Sequence, residues 1–215
     1  MKMLRAAAMV MALGMMVAMT GCDDDDDAAA TLLRVIHASY DAPAVDVAVN
    51  GGTPIQNLAY GESSGYAAFN AGTLHIRVRP AGATSPDVIA ADLDFAANTS
   101  YTVFATDQVA AIAPVLSTDD RRAVAGKAKV RLLHASPDAP AVDVKVGSAI
   151  GPAVFSNVAF QEITPYEQVD PDTYTLVITA AGATTAVVTF GPQALADGGV
   201  YTVVAIGTLD ATDCL

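Results

Sequence analysis

Residues 134–144 read HASPDAPAVDV, and residues 37–47 read HASYDAPAVDV. Ten of the eleven positions are identical; only Tyr40 and Pro137 differ. Successive side chains of a strand point to opposite faces. On that period the lead-in KVRLLHAS places Val130, Leu132, His134 and Ser136 on one face, and Leu33, Val35, His37 and Ser39 repeat the pattern in the first copy. Asp41 and Asp138 each precede Ala-Pro, where the chain is pushed into extended conformations. Beyond the turn, AVDVKV sets Val142, Val144 and Val146 on one face and Asp143 and Lys145 on the other. The string reads as strand, turn, strand.

The repetition continues downstream. NLAYGESSGY (57–66) aligns with NVAFQEITPY (157–166), AGAT recurs at 81–84 and 181–184, and SYTV (100–103) aligns with VYTV (200–203). The offset grows from 97 to 100 residues across the loop near Gly147–Pro152. Both copies are strand-like throughout: TLHIRVR (73–79) puts Leu74, Ile76 and Val78 on one face and His75, Arg77 and Arg79 on the other. No segment after residue 30 carries a capped amphipathic helix pattern, and turn signals fall every ~8–12 residues. The expected fold class is all-β: two tandem immunoglobulin-like β-sandwiches of about seven to eight strands each, after an N-terminal signal helix. The expected boundaries are a signal peptide at 1–21, an Asp-rich tether at 22–30, a first sandwich at 31–118, a linker at 119–127 (DDRRAVAGK) and a second sandwich at 128–215. LDATDCL (209–215) is more polar than the matching VAAIAPV (109–115), so the last strand of the second copy is expected to be short, frayed or missing.

A basic residue, an apolar pair, the HAS-Pro-Asp-Ala-Pro-Ala-Val-Asp-Val string and a later Tyr-Thr-Val strand resemble a bacterial family, the domain of unknown function 4397 (DUF4397). Tyr40 stands where that pattern has Pro. The resemblance implies two copies covering nearly all of the chain after the signal segment and a setting in exported proteins and lipoproteins. It implies no activity and no catalytic residues.

The N-terminus supports an exported setting on its own residues. Lys2 and Arg5 form a basic region, and AAAMVMALGMMVAMT (6–20) is uncharged and apolar. That run is shorter than the ~20 residues of a spanning helix and suits a signal-peptide core. MTGC (19–22) resembles a lipobox, which implies lipid on Cys22, cleavage after Gly21 and the membrane as a partner through that lipid. Five Asp follow at 23–27; like charges with nothing to bury stay extended and solvated, and Asp23–Ala30 spans about 26 Å at ~3.3 Å per residue. The expected location is the cell envelope, lipid-anchored on the periplasmic or cell-surface side; both membranes stay open, with the outer favoured over the inner. The two cysteines are Cys22 and Cys214; with lipid on the first, the second has no partner within the chain. The formal charge of −12 argues against nucleic acid, whose phosphates need Lys and Arg.

His37, Ser39, Asp41 and Asp46, matched by His134, Ser136, Asp138 and Asp143, are the residue types of a hydrolase triad or a metal site. Catalysis requires nucleophile and base within ~2.6–3.2 Å, whereas side chains two apart on a strand start ~6.6 Å apart. One His and two Asp per copy also fall short of a metal-ligand set. The structural reading has the His at the rim of the core, satisfied by Asp138, Asp143 or a turn carbonyl, and the Asp before Ala-Pro closing an Asx-turn on its own backbone. GESSG (61–65) matches a nucleophile-elbow pattern around Ser63, but that elbow requires a strand-to-helix turn and the second copy reads QEITP. His75 lies among outward-facing arginines and is expected to be solvated. The sequence points to a protein without enzymatic activity or cofactor, a binding, adhesion or assembly module for an envelope protein or polysaccharide. The alternatives are a hydrolase using the repeated turn and a structural spacer.

Overall fold

The computed structural model describes residues 29–209. The signal segment, Cys22 with its lipobox, the Asp run up to Ala28, and Asp210–Leu215 with Cys214 lie outside the described residues. The chain divides into two compact units between Arg121 and Arg122, and each is a two-layer all-β sandwich.

In the first unit the strands are β1 (Ala30–His37), β2 (Val45–Val49), β3 (Gly52–Leu58), β4 (Ala67–Asn70), β5 (Gly72–Pro80), β6 (Ile89–Phe95), β7 (Ser100–Thr106) and β8 (Ala113–Thr118). One sheet has the order β4-β1-β7-β8 and the other β3-β2-β5-β6. The second unit contains β9 (Ala128–His134), β10 (Val142–Val146), β11 (Ala153–Val158), β12 (Glu167–Val169), β13 (Asp172–Ala180), β14 (Val188–Leu195) and β15 (Val200–Ala205). Its sheets run β12-β9-β15 and β11-β10-β13-β14. The architecture is a two-sheet β-sandwich, with the first strand of each unit paired in parallel to the strand that opens with Tyr-Thr-Val: Leu33 with Tyr101 and His37 with Ala105, then Val130 with Tyr201 and His134 with Ala205. A parallel pair inside a sandwich is covered on both faces, and such strands read as near-continuous apolar runs. That is why LLRVIH and YTVFAT lack a clean polar face, and why every residue of β9 is buried, Lys129 and Arg131 included.

Each core fills the space between its two sheets. Leu33, Val35, Val45, Val47, Leu74, Ile76, Val78 and Val103 form the first; Val130, Leu132, Val142, Val144, Leu176, Ile178 and Val203 form the second. The alternating residues of TLHIRVR and AVDVKV face inward as their period requires.

The two copies differ at two places. β2 and β3 are joined by Asn50-Gly51, both left-handed (φ 49° and 85°), the two-residue turn that matches strand twist; the second copy has the longer loop Gly147–Pro152 here. The other difference is at the sheet edge. β8 covers the outer edge of β7, with Val103 opposite Leu116 and Ala105 opposite Pro114. Among the described residues no strand covers the outer edge of β15.

Candidate functional site

The two histidines close β1 and β9 and are fully buried. His37 Nε2 donates to the carbonyl of Pro43 at 2.9 Å, and His134 Nε2 to that of Pro140 at 3.0 Å. In both, Nδ1 accepts the backbone N–H two residues on, from Ser39 and from Ser136, at 3.3 Å. This pairing assigns the neutral tautomer with the proton on Nε2. Burial pushes both imidazoles below the ordinary histidine value, with the prolyl carbonyl opposing more weakly. Of the partners open on sequence grounds, the turn carbonyl is the one used. The rings also meet Tyr60 and Phe160 edge-on, with centroids 6.2 Å apart in each copy.

The serines meet the rings through their backbone, so neither hydroxyl is activated by its histidine. Ser136 Oγ lies 3.4 Å from Asp138 Oδ1, while Ser39 Oγ is buried with no protein partner.

Each aspartate before Ala-Pro reaches across the fold instead of closing an Asx-turn on its own backbone. Asp41 Oδ1 accepts the N–H of Val109 at 2.7 Å, and Asp138 Oδ1 that of Leu209 at 3.0 Å. Local sequence cannot supply those donors, which stand 68 and 71 residues away. Asp46 and Asp143 act as staples. Asp46 accepts from Asn57 and Gly82, both at 2.8 Å; Asp143 accepts from Asn157 and Gly182, both at 2.9 Å. These bonds hold both carboxyls below the usual carboxylate range. The donors explain the other repeated fragments. Asn57 and Asn157 sit in left-handed backbone (φ 53° and 54°), which Asn tolerates, and Gly82 and Gly182 (φ 75° and 74°) occupy the turn where a Cβ is disfavoured. The repeated string, the NLA/NVA segment and AGAT are parts of one hydrogen-bonded framework.

GESSG is a turn between strands. Ser63 bridges Ile36, and Ser64 Oγ accepts the N–H of Val35 at 2.9 Å, as Thr164 Oγ1 accepts that of Leu132. Glu62 and Glu162 cap the turn by accepting from Ala59 and Ala159. His75 is exposed and meets Asp92 at 2.9 Å; Arg77 shares that carboxylate at 3.0 Å, and Arg79 pairs with Asp87. Among the described residues no three His, Cys, Asp or Glu side chains converge as a metal-ligand set.

Sequence reasoning passed over a second cluster. Tyr66 lies between Arg34 and Arg121, 4.8 and 4.3 Å from the ring centroid. Its hydroxyl donates to Asp119 at 2.7 Å, and Thr102 donates to the same oxygen at 2.6 Å. Burial is the main cause that raises the Tyr66 pKa. In the second unit Arg131 and Lys129 face Tyr166, and Arg131 bonds Thr202 at 3.0 Å. The available signal was the recurrence of Tyr at the end of the 57–66 and 157–166 segments together with the basic residue three before each His.

The second copy also has an apolar cleft at its His134 end. The cleft measures ≈ 50 Å³, and its walls include His134, Pro140, Ile178, Val188, Ala205 and Ile206.

No curated protein sequence matches the chain. Among solved structures, the Bacillus anthracis TIE protein is similar at 12% identity over 86% of this chain, with a TM-score of 0.28. A leucine-rich repeat protein from Bacteroides thetaiotaomicron is similar at 14% identity over 84% of this chain, with a TM-score of 0.23. The chain spans 37% and 26% of those two proteins, and overlaps this loose carry no argument about function. The family profile described as "Domain of unknown function (DUF4397)" matches residues 31–145 and 146–215. Its first segment runs on through the second copy of the string. With nearly all of the described residues inside these two segments, the chain belongs to the DUF4397 family.

Proposed function

We propose that the protein is a non-catalytic binding, adhesion or assembly module of the cell envelope, held there by lipid on Cys22 and extended from the membrane by the Asp23–Asp27 tether. One observation carries the non-catalytic part of this reading: in both copies of the string both imidazole nitrogens are committed to backbone partners. A histidine bound in this way has no lone pair to offer a nucleophile. Asp41, Asp46, Asp138 and Asp143 all accept backbone N–H groups, so the string is explained as scaffold. The binding part rests on design economy: two small sandwiches on a reach of about 26 Å display loops and edges to a partner, and linked modules gain from avidity.

Purified lipid-free protein (residues 23–215) should show no turnover of ester, peptide or glycoside panels and should enrich an envelope protein or polysaccharide from extracts. Hydrolysis that disappears in His37→Ala or His134→Ala protein of native fold would establish the hydrolase reading instead. Absence of any retained ligand would favour a spacer.

A further inference from the structure

We propose that the peptide bond between Asp170 and Pro171 is a self-cleavage site, at which the Asp170 carboxylate attacks its own main-chain carbonyl and the Tyr174 hydroxyl stabilises the oxyanion that forms. The reaction is a single event within the chain. It goes beyond the binding reading above and does not depend on it.

The bond lies in the short connection between β12 and β13, where the chain passes from one sheet of the second unit to the other. Pro171 forms an exposed bend there, open to water. Tyr174 Oη donates to the Asp170 carbonyl oxygen at 2.8 Å, within the ~2.7–3.1 Å that an oxyanion donor needs. The phenol keeps the proton it donates: desolvation raises its pKa, Asp170 and Asp172 push the same way, and Lys127 opposes them more weakly. Lys127 Nζ donates to Asp170 Oδ1 at 2.5 Å, and that bond keeps the lysine an ammonium by raising its pKa. It also holds the carboxylate at the turn. Among the described residues Asp170 Oδ2 has no such partner, so Oδ2 is the nucleophilic oxygen.

The first copy has none of these parts. Ala30, Asn70-Ala71 and Leu74 stand at the positions of Lys127, Asp170-Pro171 and Tyr174, at offsets of 97 and 100. The same sandwich forms without them, so the shared scaffold does not account for the cluster. Proline also decides the route. An aspartate followed by another residue can lose its carboxyl to the next backbone N–H and close an imide. Pro171 has no N–H, which shuts that route and leaves the main-chain carbonyl as the electrophile. Attack within one residue has the advantage of an intramolecular reaction, and a carboxylate is a competent nucleophile for it.

The step balances as follows in atoms and charge. Oδ2 adds to the Asp170 carbonyl carbon and closes a five-membered ring, and the carbonyl electron pair moves to the oxygen that Tyr174 faces. That pair returns as the C–N bond to Pro171 breaks. The nitrogen leaves with the bonding pair and takes a proton from solvent. One fragment then ends in a cyclic anhydride at Asp170, and the other begins with the secondary amine of Pro171. Water opens the anhydride to two carboxyl groups. One water is consumed, and nothing is oxidised or reduced.

Lipid-free protein (residues 23–215) is held at about pH 5, where ordinary carboxylates are ionised, and cleavage is read by mass under denaturing conditions. Denaturation is needed because β15 pairs with β9 and β13 with β10 across the cut, which keeps the pieces together in the fold. The expected products end at Asp170 and begin at Pro171. The folded protein should cut at least about tenfold faster than the free peptide YEQVDPDTYT (166–175). Tyr174→Phe keeps the ring and should slow the cut by about tenfold or more. Hydroxylamine present during the reaction should be captured as a hydroxamate on Asp170, the mark of the anhydride. Asp170→Ala protein, which lacks the nucleophile, should stay whole. A folded rate at or below that of the peptide would overturn the proposal, as would an unchanged rate in Tyr174→Phe or a wild-type rate in Asp170→Ala. The peptide comparison needs no variant, so it decides the matter even if a variant folds poorly.

Discussion

At the scale of single residues, the buried histidines make folding sensitive to acid. His134 satisfies the Pro140 carbonyl and the Ser136 N–H, so His134→Ala strands two buried backbone groups. The expected loss is about 1–3 kcal/mol, read as a lower urea midpoint for loss of exchange protection in residues 128–205. An unchanged midpoint would remove the role assigned to the ring. Both imidazoles titrate below 6.5 in the folded chain because burial disfavours the charged form. Unfolded, they protonate at about 6.5, so at acid pH the unfolded chain holds more protons. Stability from these groups is therefore fully present above about pH 6.5 and declines as pH falls below it toward the folded values. Urea midpoints should drop between about pH 7.5 and pH 5. Replacing both histidines with Gln should flatten that slope, and a slope unchanged in the double variant would assign it to other groups.

Among elements, Tyr66 ties the entry to β4 to the end of β8 through Asp119 and lies against Arg34 of β1. Tyr66→Phe keeps the ring between the two guanidinium groups and removes only the hydroxyl. A lost bond to a buried carboxylate costs about 1.5–3 kcal/mol, and exchange at β4 and β8 should report it first; equal exchange in both proteins would count against the tie. Legibility in the sequence follows the range of each interaction. Leu74, Ile76 and Val78 announce their face because alternation is local, and Val142, Val144 and Val146 do the same. The parallel pairing of β1 with β7 leaves no mark beyond apolar runs, since its partners are 68 residues apart. The same separation hides the Val109 amide that Asp41 accepts. Asp46 stood out by repetition, but its role needed the folded positions of Asn57 and Gly82. Nothing local marks Arg34 and Arg131 as buried, and only the aromatic rings of Tyr66 and Tyr166 against them show why a charge is buried there.

For the whole molecule, the proposed anchor makes a direct prediction. Wild-type protein expressed with its signal segment should partition into detergent and Cys22→Ala protein should not; if both fractionate as soluble, the anchor fails. A protein held by the proposed anchor also transmits load, and the two copies meet it differently. In the second unit Ala128 opens β9 and Ala205 closes its parallel neighbour, so the two points lie at opposite ends of the pair. Pulling them apart slides β15 along β9 and strains all the bonds between them together. In the first unit β8 turns back along β7, bringing Thr118 opposite Tyr101, near the end where β1 begins. Tension between Ala30 and Thr118 therefore peels β8 away one rung at a time. Loaded between Ala30 and Thr118, β1, β7 and β8 yield by peeling, whereas β9 and β15 loaded between Ala128 and Ala205 yield by shear, so the two sets of points give way at different forces.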